Sequence, residues 1–163
     1  MSTTTSYRET LLTNLVTDLG TISVANSFRT NLGATVSRML KTTDEMDEED
    51  FPTLFVADGV ENITYGTNKE IKSLFNVLIY GYVRYDADAQ SSQIASTQLN
   101  KLISDVKEIV MNTSLTLWQT AGVVFVRIVK VETDEGVLDP DAIFSMQIEI
   151  EYWTGTTDMG ASI

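Results

Sequence analysis

Carboxylates are the one plentiful class of reactive side chain in this sequence: 23 Asp and Glu against 11 Lys and Arg, with no His and no Cys. Two spacings bear on metal chemistry. Pro140-Asp141 followed by Glu149-Ile150-Glu151 has the outline of the acid pairs that hold a divalent ion in restriction-type nucleases. Those sites add a lysine two residues beyond the second acid, and Glu151 stands there instead. Asp86-Ala87-Asp88 and Asp139-Pro140-Asp141 are two-acid loops without the further ligands and glycine of a calcium loop. They read as turn acids. A serine triad cannot be assembled without His, and no Ser sits in a Gly-x-Ser-x-Gly elbow. The nine glycines are scattered, so no phosphate-cradling loop is present. Phe75, Tyr80, Tyr82 and Tyr85 could stack nucleobases, but without interleaved Lys and Arg they read as core or subunit contacts. The expectation is a protein with no catalytic, metal or cofactor site, not an enzyme.

The formal charge of −12 narrows the partners. A surface that grips duplex DNA must neutralise phosphates, so this balance argues against one. An acidic wall repels phosphate and suits a conduit through which DNA slides without sticking. Plain solubility is the simpler use of the same charge. A soluble DNA mimic occupying a nuclease is a third use, although six of the 23 acids crowd into one segment rather than spreading over a surface. Without cysteine there is no disulfide framework or thiolate zinc site. The N-terminus MSTTTSYRET has no apolar signal-peptide core, and no run reaches membrane-spanning length.

The elements that would carry these groups can be read from periodicity. Met1–Thr5 reads as a mobile arm. Ser6-Tyr7-Arg8-Glu9 has capping-box spacing, with Ser6 as N-cap and Glu9 reaching back. Leu11, Leu12, Leu15, Val16 and Leu19 then form a helical stripe ending at Gly20. Residues 21–41 are ambiguous, with Ile22, Val24 and Val36 as candidate short-strand positions. Asp44 to Asp50 places six acids in seven positions and reads as an extended, self-repelling loop over 42–50. A short strand at Leu54–Val56, a turn at Asp58-Gly59 and another short strand at Glu61–Tyr65 follow. Leu74–Tyr85 is apolar on both faces, as a central strand is, with Gly81 marking a bulge or a close backbone approach.

Asp86 to Gln90 reads as loop and Ser91 or Ser92 as the cap of a second helix. Its stripe is Ile94, Leu99, Leu102, Ile103, Val106, Ile109 and Val110, with Gln98, Asn100, Asp105, Lys107 and Glu108 on the other sides. Asn112–Gly122 is a connector, Val123–Thr133 a strand, and Asp134-Glu135-Gly136 a turn. Ala142–Tyr152 alternates: Phe144, Met146, Ile148, Ile150 and Tyr152 face inward, and Ser145, Gln147, Glu149 and Glu151 face a wet, acidic side. Thr154–Ile163 reads as a flexible tail. The sum is an α/β (α+β) domain over residues 6–153, a mostly antiparallel twisted sheet of about four to six strands with two main helices packed on it.

This order resembles the tail terminator (tail-completion, minor tail) proteins of long-tailed bacteriophages. The likeness is carried by Phe51-Pro52-Thr53-Leu54-Phe55-Val56 ending in Asp58-Gly59, then Leu78-Ile79-Tyr80-Gly81-Tyr82-Val83 and the helix through Leu99-Asn100-Lys101-Leu102. It continues with Val126–Val131 running into Thr133-Asp134-Glu135-Gly136-Val137-Leu138-Asp139-Pro140, and closes on Glu151-Tyr152. It spans Phe51 to Trp153, and the segment before Phe51 departs from it. The resemblance implies a virion structural subunit of the tail-neck region, made in the host cytoplasm. It implies a homo-hexameric ring on the head-proximal end of the tail tube, stopping polymerisation. Its partners would be the tube protein, the head–tail connector and DNA passing through the bore. Another phage neck or tail-tube ring protein is the neighbouring alternative.

Charge segregation suggests how such a ring would close. Arg29, Arg38 and Lys41 are the charges of the Phe28–Lys41 segment, and Asp47, Glu48, Glu49 and Asp50 lie just beyond it. Pairing these groups between copies would make a head-to-tail interface; pairing them within one copy is the alternative. Glu132, Glu149 and Glu151 are the candidates to face the bore.

Overall fold

The computed structural model describes residues 6–66, 69–84, 94–134 and 141–155. The arm at 1–5, Tyr85, the loop Asp86–Gln90, the caps Ser91 and Ser92, residues 135–140 of the last turn and the tail from 156 lie outside them. Four strands form one antiparallel sheet in the order β1-β2-β4-β3: β1 Thr53–Tyr65, β2 Glu70–Arg84, β3 Val123–Thr133 and β4 Asp141–Gly155. Helix α1, Tyr7–Leu19, and helix α2, Ile94–Met111, pack on one face, and a single turn, α3, Thr116–Gln119, joins α2 to β3. The mixed, antiparallel fold read from periodicity is the one observed.

Alternation fixes the sheet's polarity. Phe75, Val77 and Ile79 of β2 and Phe144, Met146, Ile148 and Ile150 of β4 are all fully buried, and they meet Leu11, Leu12 and Leu15 of α1 and Leu102, Val106 and Val110 of α2. With side chains alternating along a strand, the residues between them form the opposite, open face. Leu74, Asn76, Leu78, Gln147 and Glu149 there are half-buried. Gly81 is a close approach: a Cβ there would sit 2.0 Å from Phe144 Cε1. Gly122 serves a backbone need instead, with φ of +90° and the Trp153 carbonyl against it.

Several local expectations change. Leu54–Val56 and Glu61–Tyr65 are one strand, because the expected turn at Asp58-Gly59 is a bulge between Asp58 and Glu61. Thr154 and Gly155 continue β4, paired to Ile71 and Glu70, instead of starting a tail. Ser6 does cap α1 through the Glu9 N–H, but the Glu9 carboxylate turns to Arg38. Val24 lies in a 3-10 turn, Val24–Asn26, and is exposed; Val36 is buried beside an isolated bridge from Ser37 to Phe55. Asp105 is not on the wet side of α2 but fully buried.

The acidic segment is not extended. It makes two 3-10 turns, Thr43–Glu45 and Glu48–Asp50. Each is closed by an acid three residues on: Thr42 N–H donates to Glu45 at 2.8 Å and Asp47 N–H to Asp50 at 3.1 Å. This relieves the crowding, because some carboxylates gain donors in place of facing one another.

Candidate subunit-contact surfaces

The apolar residue inside the acidic run explains where the run goes. Met46 is buried against Phe55 and Tyr82 on the open face, with Phe51, Tyr80 and Ile143 around them. Arg84 anchors the segment: its Nε donates to Asp141 at 2.8 Å, another guanidinium nitrogen donates to the Thr43 carbonyl at 3.1 Å, and its plane lies 4.2 Å over the Phe51 ring. The Arg84 pKa is raised, first by the Asp141 hydrogen bond. The Glu45 carboxyl is held below its ordinary range, chiefly by the Thr42 backbone N–H and then its hydroxyl. The strap thus docks by one methionine while Asp44, Asp47, Glu48 and Glu49 stay exposed and Asp50 half-buried.

The basic residues expected to meet those acids are engaged elsewhere in the same chain. Arg29 bonds Asp105 at 2.8 Å and Glu108 at 3.1 Å. Arg38 spans Glu9 at 2.5 Å and Asp58 at 3.0 Å. Lys41 is exposed and makes no ion pair among the described residues. Within one copy, therefore, Arg29 and Arg38 do not pair with Asp47–Asp50: their acids come from α1, α2 and β1.

The supposed wet acidic face needs the larger correction. Glu151 is only 6 % exposed, pairing with Lys72 at 3.1 Å and accepting from Trp153 Nε1 at 3.1 Å. Burial pushes its carboxyl up, but the bonds from Trp153 and Lys72, with the charges of Lys72 and Arg127, outweigh this and hold it below the ordinary range. Glu149 is paired with Arg127, its cross-strand neighbour on β3. Glu132 pairs with Lys130 at 2.6 Å and is exposed. The face carries alternating charge, not bare acid. The nuclease outline dissolves for the same reason. Asp141 is bound by Arg84, and eight residues of strand, about 26 Å at about 3.3 Å per residue, separate it from Glu149. Among the described residues no three His, Cys, Asp or Glu gather as a metal site.

Two buried acids were not singled out by sequence reasoning. Asp18 accepts from the Thr116 N–H at 3.1 Å and the Leu117 N–H at 2.8 Å, capping α3 from a distant helix. Asp105 accepts the Arg29 N–H through both oxygens, at 3.2 and 3.1 Å. The signal was spacing: Asp18 follows Leu15 by three, and Asp105 follows Leu102 by three, so each lies on an apolar stripe. An acid on such a stripe is buried only with donors to meet it.

One face sealed by helices, with the opposite face left open among the described residues, defines a small α+β protein. The chain belongs to a family of that kind: the family model described as Bacteriophage Tail Tube Terminator Protein matches residues 1–160. It is accordingly a bacteriophage tail structural protein, and the match takes in the segment before Phe51 that the sequence pattern left outside. The fold is shared with a chain from the virion of a native gene transfer agent particle, at a TM-score of 0.58 and 12 % identity, over 91 % of this chain and 100 % of that one. No curated protein compared with it matches.

Proposed function

We propose that copies of this protein close into a hexameric ring at the head-proximal end of the tail tube, within the virion's neck. The ring ends tube polymerisation, presents its other side to the head–tail connector, and lets DNA pass through its bore. The observation that carries this reading is the family match over almost the whole chain. In the ring, the open sheet face lines the bore. Lys72–Glu151, Arg127–Glu149 and Lys130–Glu132 there are neutral pairs, so the wall neither grips phosphate nor strongly repels it, which keeps DNA mobile. The exposed acids Asp47, Glu48 and Glu49, with Asp50, point to a basic surface on a neighbouring protein. Image reconstruction of the particle tests the proposal: density for this chain is expected once per subunit in a six-fold collar between tube and connector. Density repeated along the tube, or at the distal tip, overturns it.

A further inference from the structure

Both edges of the sheet end without a neighbouring strand among the described residues, but not in the same way. On the β1 edge, Gly33–Ser37 covers the first half. Gly33 N–H donates to the Pro52 carbonyl at 2.8 Å, Ser37 N–H to Leu54 at 3.2 Å, and Val56 N–H to Ser37 at 2.9 Å. That cover stops at Val56. Beyond the bulge, Glu61–Tyr65 runs on in unbroken register with Phe75–Ile71, its outer side open. On the other edge, β3 is bulged twice, between Val123 and Phe125 and between Ile128 and Lys130. The bulged residues are Val124 and Val129, and both face solvent.

Exposed apolar side chains concentrate on these two edges. Val60, Ile63 and Tyr65 on β1 are 68, 43 and 69 % exposed, and Val124 and Val129 on β3 are 51 and 50 % exposed. They make up five of the ten large apolar residues so exposed among the described residues, which sets the edges apart from scattered surface hydrophobics. The edge strands also differ in charge. β1 carries Asp58 and Glu61 with no basic residue; β3 carries Arg127 and Lys130 against Glu132.

We infer that Glu61–Tyr65 of one copy adds to β3 of the next, joining neighbouring sheets through the backbone. This rests on the ring reading and names the surfaces that close the ring. The occupant is a second copy because each chain carries both halves at opposite ends of one sheet. The contact is therefore head-to-tail and repeats until it closes. Arg127 and Lys130 are already paired with Glu149 and Glu132, so the opposition of β1 acids to β3 bases biases the orientation and is not the holding force. Asp58 and Glu61 also hold Arg8 and Arg38 of their own chain, so charge orients the strands, and the backbone bonds with the valine knobs hold them. The bulges leave runs of four paired residues, Phe125–Ile128 and Lys130–Thr133. They set the register and keep β3 from accepting an arbitrary strand.

The chain has no cysteine, so introduced thiols report contacts unambiguously. Ile63→Cys is mixed with Val124→Cys, and separately with Val129→Cys, on tail-tube ends where electron microscopy shows collars. The samples are then mildly oxidised. A covalent dimer is expected in at least one mixture and from none of the three variants alone. Collars without the mixed dimer, or a dimer from a single variant, overturn the inference while leaving the ring reading in place. Failure of the unsubstituted protein to form any collar on tube ends removes the ring reading, and this inference with it.

Discussion

The two faces of the sheet are built on different principles. On the helix side, large apolar groups close over one another, and the acids admitted, Asp18 and Asp105, are fully occupied by backbone donors and one arginine. On the open side, Leu74 and Leu78 stay half-buried between ion pairs, and the acidic strap is held by one methionine and one arginine. Burial and satisfied hydrogen bonds stabilise the first face, whereas the second leaves polar and apolar groups partly exposed. On the proposed ring reading, stability and assembly are therefore separable by mutation.

The largest effect is expected in the sealed face. Phe144→Ala removes a fully buried ring and should cost about 3–5 kcal/mol, whereas Leu78→Ala on the open face should cost about 1 kcal/mol, a fraction of full burial. Equal losses in chemical denaturation would break the comparison. Next is Asp18→Ala, which strands the N–H groups of Thr116 and Leu117 and should cost about 1–3 kcal/mol. Asn at the same position, keeping one acceptor, should recover part of that.

Arg84→Ala is smaller in stability, about 1–2 kcal/mol from its ion-pair and ring contacts, but local in consequence. Amide exchange should accelerate across 42–51 and leave β2 protected. The Glu151 carboxyl has a folded pKa below its ordinary 4.5, so its contribution is complete above that value and disappears as pH falls through the lowered one. Glu151→Gln should therefore flatten the fall in stability below about pH 4.5, measured as denaturation midpoint against pH. Smallest of all for the fold, replacing Asp47, Glu48, Glu49 and Asp50 by their amides should leave the melting temperature unchanged while weakening attachment to the neck. Unchanged attachment would remove those acids from any contact.

How far the sequence went follows the same division. Strands of period two, as in Phe144–Tyr152, and the leucine stripe of α1 declare themselves because one whole face of each is buried. Residues 21–50 do not, because their order comes from single contacts at a distance: Met46 under Tyr82, Ser37 beside Phe55, Arg29 on Asp105. Neither periodicity nor charge spacing encodes such contacts, and a run of acids looks the same whether extended or coiled into capped turns. Glu151 misled for a related reason. Alternation assigns it a face correctly, but only the register with Lys72 and Trp153 shows that this part of the face is closed. Gly81, by contrast, was legible as a special position, a bulge or a close backbone approach; the register runs through it unbroken, and the close neighbour is the Phe144 ring.

The most direct test of the account is tail length in particles assembled without this protein. If it ends the tube and joins it to the head, tails should be variable or overlong and detached from filled capsids. Tails of uniform length on full capsids in its absence would contradict the account.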